Sequence, residues 1–191
     1  MDKWITLADL NRYQEADKVE IKAAMGKAVK QVERNLPEFT EQFPGANSFE
    51  LFYKPGPNVD WTTGSWTGEI WLAYENAATE KEKEEFRRAG EIQVQSFLER
   101  ITNRVNVDHH DMGFLYSLSC VAAYKLTGME KAKKAALLAA DNLLSRFQPV
   151  GKFIQAWEEM GAKDNYRFII DCLLNIPLLY WAFEETGEEK Y

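Results

Sequence analysis

The chain contains two histidines, and they stand side by side in Asp108-His109-His110-Asp111. Imidazole is the side chain that ordinarily titrates near neutral pH. Acid/base chemistry here must therefore draw on this cluster or on carboxylates. A second acid, Asp171, sits in Arg167-Phe168-Ile169-Ile170-Asp171-Cys172-Leu173-Leu174-Asn175, a run otherwise almost wholly apolar. A charge in such a run is costly unless it is paired or functional. A buried carboxyl favours its protonated form, which is what a general acid requires. The structural alternative for Asp171 is an ion pair with Arg167, four residues earlier on the same predicted helix face.

Asp111 falls at the predicted start of a helix, where an N-cap or first-turn acid is also expected, and Asp108 fits the cap equally well. The clustering of Asp, His, His and Asp before an apolar helix favours a functional reading. Adjacent histidines on a helix or strand point apart, so His109 and His110 are not expected to share one ion, and no metal site is predicted. Trp61 and Trp157 lie on loops leading towards apolar helices. Indoles there can stack on sugar faces or plug a core. No Gly-x-Ser-x-Gly and no phosphate-binding glycine loop is present.

The formal net charge of -7 argues against a nucleic-acid partner. Hydrophobic residues make up 46% of the 191 residues, enough for one domain with a sizeable core. Cys120 and Cys172 both lie in apolar, helical-looking stretches and read as buried reduced thiols. No basic start followed by a long apolar core opens the chain, and no apolar run is long enough for a bilayer. The expectation is therefore a cytoplasmic protein without a membrane partner.

The elements that must position these residues are helices. Lys18 to Leu36 is periodic and Pro37 is expected to interrupt it. A Gly/Pro/Asn-rich connection follows, with a short extended piece at Phe49 to Tyr53. Further helices are predicted from Gly64 to Asn76, from Thr79 past Ile101, from Asp111 to Thr127, from Glu130 to Phe147, and from Arg167 to Thr186. The second, fourth and sixth helices are apolar nearly all round; the third and fifth are amphipathic. The chain thus alternates inner and outer helices.

An internal repeat supports this. Leu72-Ala73-Tyr74-Glu75, Ala122-Ala123-Tyr124-Lys125 and Trp181-Ala182-Phe183-Glu184 each precede a short turn and a charged helix start. Asp60, Asp111 and Asp171 stand upstream of the three aromatics, so each inner helix presents a carboxylate at the same end. Repeating inner/outer hairpins read as an α/α toroid or solenoid. The third repeat stops where its outer helix should begin, which predicts a truncated part of a longer protein or a layer completed by a partner.

Four segments resemble the unsaturated glucuronyl hydrolases, glycoside hydrolase family 88. They are Asp60-Trp61-Thr62-Thr63-Gly64-Ser65-Trp66, Asp108 through Ser117, Ile154-Gln155-Ala156-Trp157, and Ile169 through Leu179. The resemblance runs from about Lys18 to the end. It divides the chain into an N-terminal extension, residues 1–17, and a partial barrel domain, residues 18–191. It implies an all-α, (α/α)6-barrel fold, about half present as three hairpins. It implies hydration of the C4=C5 bond of an unsaturated uronic acid at the non-reducing end of a lyase-generated, glycosaminoglycan-type oligosaccharide.

On this sequence the resemblance makes Asp171 the general acid/base and Asp111 the second essential aspartate. Trp61, Trp157 and His110 become substrate-binding residues, and no cofactor is needed. The isolated chain is expected to be an incomplete enzyme that self-associates through exposed inner helices. The competing readings are an unsaturated rhamnogalacturonyl hydrolase and a non-catalytic helical-repeat module that binds a sugar or a protein.

Overall fold

A computed structural model describes residues 15–162 and 164–191. The proposed extension, residues 1–17, lies almost wholly outside them. Helix α1 spans Lys18–Phe39, opened by a capping box in which the Asp17 side chain accepts from the backbone of Val19 and Glu20. Contrary to expectation, Pro37 does not end this helix; it runs on to Phe39. Only its second half packs, with Val29, Val32 and Phe39 buried, while Val19 and Ile21 face solvent.

The connection that follows is a β-hairpin, longer than the sequence predicts. Strand β1 (Phe43–Phe49) pairs antiparallel with β2 (Phe52–Gly56), joined by Glu50 and Leu51, both at positive φ. Two successive positive φ values make the tight turn whose twist matches paired strands.

Helix α2 (Thr63–Glu75) leads by a short turn into α3 (Glu80–Thr102), which begins with the Thr79/Glu82 capping box. The next inner helix is built in three pieces: α4 (Met112–Tyr116), a π-helical turn (Ser117–Val121) and α5 (Ala122–Thr127). Helix α6 (Glu130–Leu144) returns along the outside. Two short strands, β3 (Phe147–Gln148) and β4 (Phe153–Ile154), then pair before an irregular stretch. The chain closes with α7 (Cys172–Asn175) and α8 (Pro177–Thr186).

The last element departs from expectation. Residues 167–170 are not helical. The Ala156 N–H donates to the Arg167 carbonyl at 3.0 Å, holding this stretch beside the loop that carries Trp157. A second break falls at Ile176, because Pro177 has no N–H to continue the ladder and begins α8 at its first turn.

The layers match the alternation read from the repeat. Helices α2, α4–α5 and α8 lie side by side as an inner layer, and α3 and α6 pack on their outside. The core between them holds Trp71, Phe86, Phe97, Leu115, Tyr116, Leu143 and Leu178. Neighbouring inner helices approach closely where side chains are small. A Cβ on Gly64 would run into the Leu115 backbone, so α2 and α4 can only touch there without one. The opposite faces of the inner helices leave Leu72, Leu118, Tyr180 and Phe183 exposed. Among the described residues, no helix is long and apolar enough to cross a membrane.

Candidate active site

The inner helices begin at one end of the assembly, and irregular loops gather there. The loop before α4 is pinned by the His110 N–H, which donates to the Ala156 carbonyl at 2.7 Å. Asp111 follows at the N-cap position of α4, but its side chain makes no capping bond. The capping alternative for Asp111 is thereby set aside, and its carboxylate turns to the histidines instead. His109 Nδ1 lies 3.0 Å from Asp111 Oδ2, and His110 Nε2 lies 3.3 Å from Asp111 Oδ1. These are ion-pair distances without the alignment of hydrogen bonds, since both ring nitrogens lack a well-directed partner.

The two imidazoles therefore converge on one carboxylate, where divergence was expected. Alternation of side chains applies to regular helix or strand, and residues 107–111 are neither.

Asp171 arrives from the other side. It occupies the N-cap position of α7, again without a capping bond, and its Oδ1 is 3.4 Å from His110 Nε2. The alternative ion pair with Arg167 does not form; the Arg167 guanidinium lies over the Trp157 ring, 5.0 Å from its centroid. Nor is Asp171 buried one turn inside a helix. Its side chain is 34% exposed, against 15% for Asp111 and 1% for His110.

Asparagine and glycine fix the two segments to each other. The Phe114 N–H donates to Asn175 Oδ1 at 2.9 Å, and Asn175 Nδ2 donates to the Asp171 carbonyl at 3.1 Å. Gly113 faces the Asn175 backbone so closely that any Cβ would collide with it.

The two carboxylates differ electrostatically. Burial pushes the Asp111 carboxyl up, but the two imidazoles beside it outweigh burial and hold it down at about 2. Asp111 is thus a fixed anion, while Asp171 stands nearer to solvent.

The tryptophans divide. The Trp157 ring packs edge-on against His110 with centroids 6.3 Å apart. With Arg167 over the indole, at most one face is left for a sugar ring. Trp61 is 54% exposed and meets Phe114 edge-on at 6.3 Å, so it stands beside the site rather than in the carboxylate cluster.

Three residues given no site role from the sequence complete the arrangement. Cys172 Sγ is 3.0 Å from His110 Nδ1. His109 carries one side of the Asp111 contact. Arg100, 2% exposed, donates from one guanidinium to the carbonyls of Val59, Asp60, Val105 and Asn106 and to the side chains of Asn58 and Thr63. It thereby ties the Asp60–Trp61 loop to the loop before His109, whose Nε2 is 3.4 Å away. An arginine on the buried side of an amphipathic helix is the signal that would have found it.

Inner and outer helical hairpins, with two carboxylates meeting one buried imidazole at the inner helix starts, define a helical fold of the α/α-barrel kind. The comparisons agree. No protein-family model matches the chain. It is 48% identical over 174 residues to an unsaturated chondroitin disaccharide hydrolase of Streptococcus pneumoniae, covering 91% of this chain and 43% of that protein. Its fold matches a crystal structure of unsaturated glucuronyl hydrolase from Streptococcus agalactiae with a TM-score of 0.88 at 48% identity, over 95% of this chain and 45% of that one. A substituted form of the S. agalactiae enzyme complexed with dGlcA-GalNAc6S matches with a TM-score of 0.77 at 40% identity, over 95% and 42%. The chain spans less than half the length of these relatives. Over that span it is similar to unsaturated chondroitin disaccharide and glucuronyl hydrolases, matching their N-terminal half.

Proposed function

We propose that this chain carries the acid/base half of a hydrolase that removes an unsaturated uronic acid from the non-reducing end of glycosaminoglycan-derived oligosaccharides. The observation that carries the reading is the convergence of Asp111 and Asp171 on His110 Nε2, within 3.3 and 3.4 Å. Two carboxylates in unlike environments divide acid/base labour. Asp171, more exposed and with an Oδ1 that has no well-aligned partner, is the group that moves a proton. Asp111, held ionised, orients His110 and a water or sugar hydroxyl.

The unsaturated uronide is a vinyl ether, electron-rich at C4. Protonated Asp171 gives its proton to C4, and positive charge develops at C5 and the ring oxygen. Water adds at C5 and returns a proton to the Asp171 carboxylate, which ends the cycle as it began. The C5 hemiketal opens to a ketone, and the exposed C1 hemiacetal centre releases the remaining sugar. Well-placed proton transfer supplies the activation. Trp157 offers one indole face to the sugar, and Trp61 extends the surface at the rim.

The remaining length of the relatives would cover the apolar residues exposed along the inner helices; in the isolated chain that surface favours self-association. Two buried free thiols suit a reducing compartment, which supports a cytoplasmic location.

Loss of the ultraviolet absorbance of unsaturated chondroitin disaccharide tests the reading. The isolated chain is expected to turn over little or nothing. A chimera carrying residues 15–191 in place of the matching segment of the S. agalactiae enzyme is expected to be active, and Asp171→Asn to abolish that activity. Undiminished turnover by the Asp171→Asn chimera would contradict the assignment.

A further inference from the structure

Cys172 takes no part in the hydration chemistry, yet its sulfur lies closer to the His110 ring than either carboxylate does, at 3.0 Å from Nδ1. Both residues are buried, with 1% exposure for Cys172. His110, Asp171 and Cys172 each offer one donor atom, and the three atoms lie within 4.8 Å of one another. His110 Nε2 and Asp171 Oδ1 are buried polar atoms without a well-aligned partner. We propose that these three side chains form a site for a thiophilic divalent cation, zinc or cadmium, whose binding excludes catalysis.

The donor set is one nitrogen, one sulfur and one carboxylate oxygen, which suits zinc and its heavier relative over magnesium or calcium. Bonds of roughly 2.3 Å to sulfur and roughly 2.1 Å to nitrogen and oxygen place the donors of a tetrahedral ion roughly 3.4 to 3.6 Å apart. A histidine gives an ion one ring nitrogen, and the sulfur now lies at Nδ1 and the carboxylate near Nε2, all within 4.8 Å, so Cys172 and Asp171 must shift inward onto one of them to reach that spacing. Three protein ligands leave the fourth position for water.

Binding converts the Cys172 thiol to thiolate and releases one proton to solvent. Burial pushes that thiol up, so affinity falls as pH falls. An ion on Asp171 occupies the oxygen that must carry a proton. This inhibitory consequence rests on the proposed hydration chemistry, whereas the binding itself does not.

Cadmium titration of the 191-residue chain tests the site, read by the cadmium–thiolate charge-transfer band and by calorimetry. One ion per chain with a charge-transfer band is expected. Cys172→Ser should abolish the band and Asp171→Asn weaken binding at least tenfold, while Cys120→Ser changes neither. Circular dichroism melts establish that the variants are folded. A wild-type chain without the band overturns the proposal, as does a folded Cys172→Ser chain that keeps it. Because the readout needs no substrate, cadmium binding to a chain whose chimera fails to hydrate would sink the catalytic reading and leave the metal site standing.

Discussion

Replacing Asp111 with asparagine tests the electrostatics of the site directly. The Asp111 carboxyl lies at about 2, against an ordinary value of 3.8. The folded value is depressed, so the stabilisation is fully present above the unfolded value and is lost as pH falls through the folded one. A shift of a little under two units corresponds to between about 2 and 3 kcal/mol, at 1.36 kcal/mol per unit. The side chain is only 15% exposed, so solvent screening removes little of this. Near pH 3 the contribution has fallen to about half. Urea unfolding of wild type and Asp111→Asn from pH 3 to pH 6 measures it. The variant is expected to be about 2 kcal/mol less stable at pH 6, with the gap closing towards acid. Equal stability at pH 6, or a gap that stays constant to pH 3, would refute the claim that the two imidazoles hold Asp111 ionised.

Three other substitutions probe the scaffold and the rim. Arg100→Met strips the carbonyls of Val59, Asp60, Val105 and Asn106 of their shared donor; a loss of about 3 kcal/mol or more in chemical denaturation is expected. Gly113→Ala forces a Cβ into the Asn175 backbone and should lower the melting temperature while also displacing Asp171; a variant as stable as wild type would show that this contact can relax. Trp61→Ala should leave stability within about 1 kcal/mol, because the ring is half exposed, yet raise KM in the active chimera with kcat little changed.

Much of the architecture was legible because local chemistry and the repeat agreed. Thr79 with Glu82 marks the start of α3, and the apolar inner helices announce their enclosure. The hairpin at residues 43–56 was underestimated because Pro44 and Pro55 speak against pairing, although they sit opposite each other in the register. The run from Arg167 to Asp171 reads as apolar helix, but the pairing of Ala156 with the Arg167 carbonyl holds it out of the helix, and no local propensity encodes a partner eleven residues away. That single difference removes the Arg167 ion pair, moves Asp171 from a helix interior to a helix start, and opens it to solvent. Asp111 was legible as a candidate from the Asp-His-His-Asp cluster and Asp171 from its apolar run. Their meeting at His110 was not, because it depends on two loops crossing 61 residues apart in sequence (171 − 110 = 61).

The central claim is that the uronide is hydrated across C4=C5 with the proton delivered by Asp171. Running the active chimera in deuterium oxide and examining the released uronic-acid product by NMR tests it most directly. Deuterium at C4, with product absent when Asp171 is asparagine, is the predicted result. Product with only protium at C4, or deuterated product formed at the same rate by the Asp171→Asn form, would contradict the account.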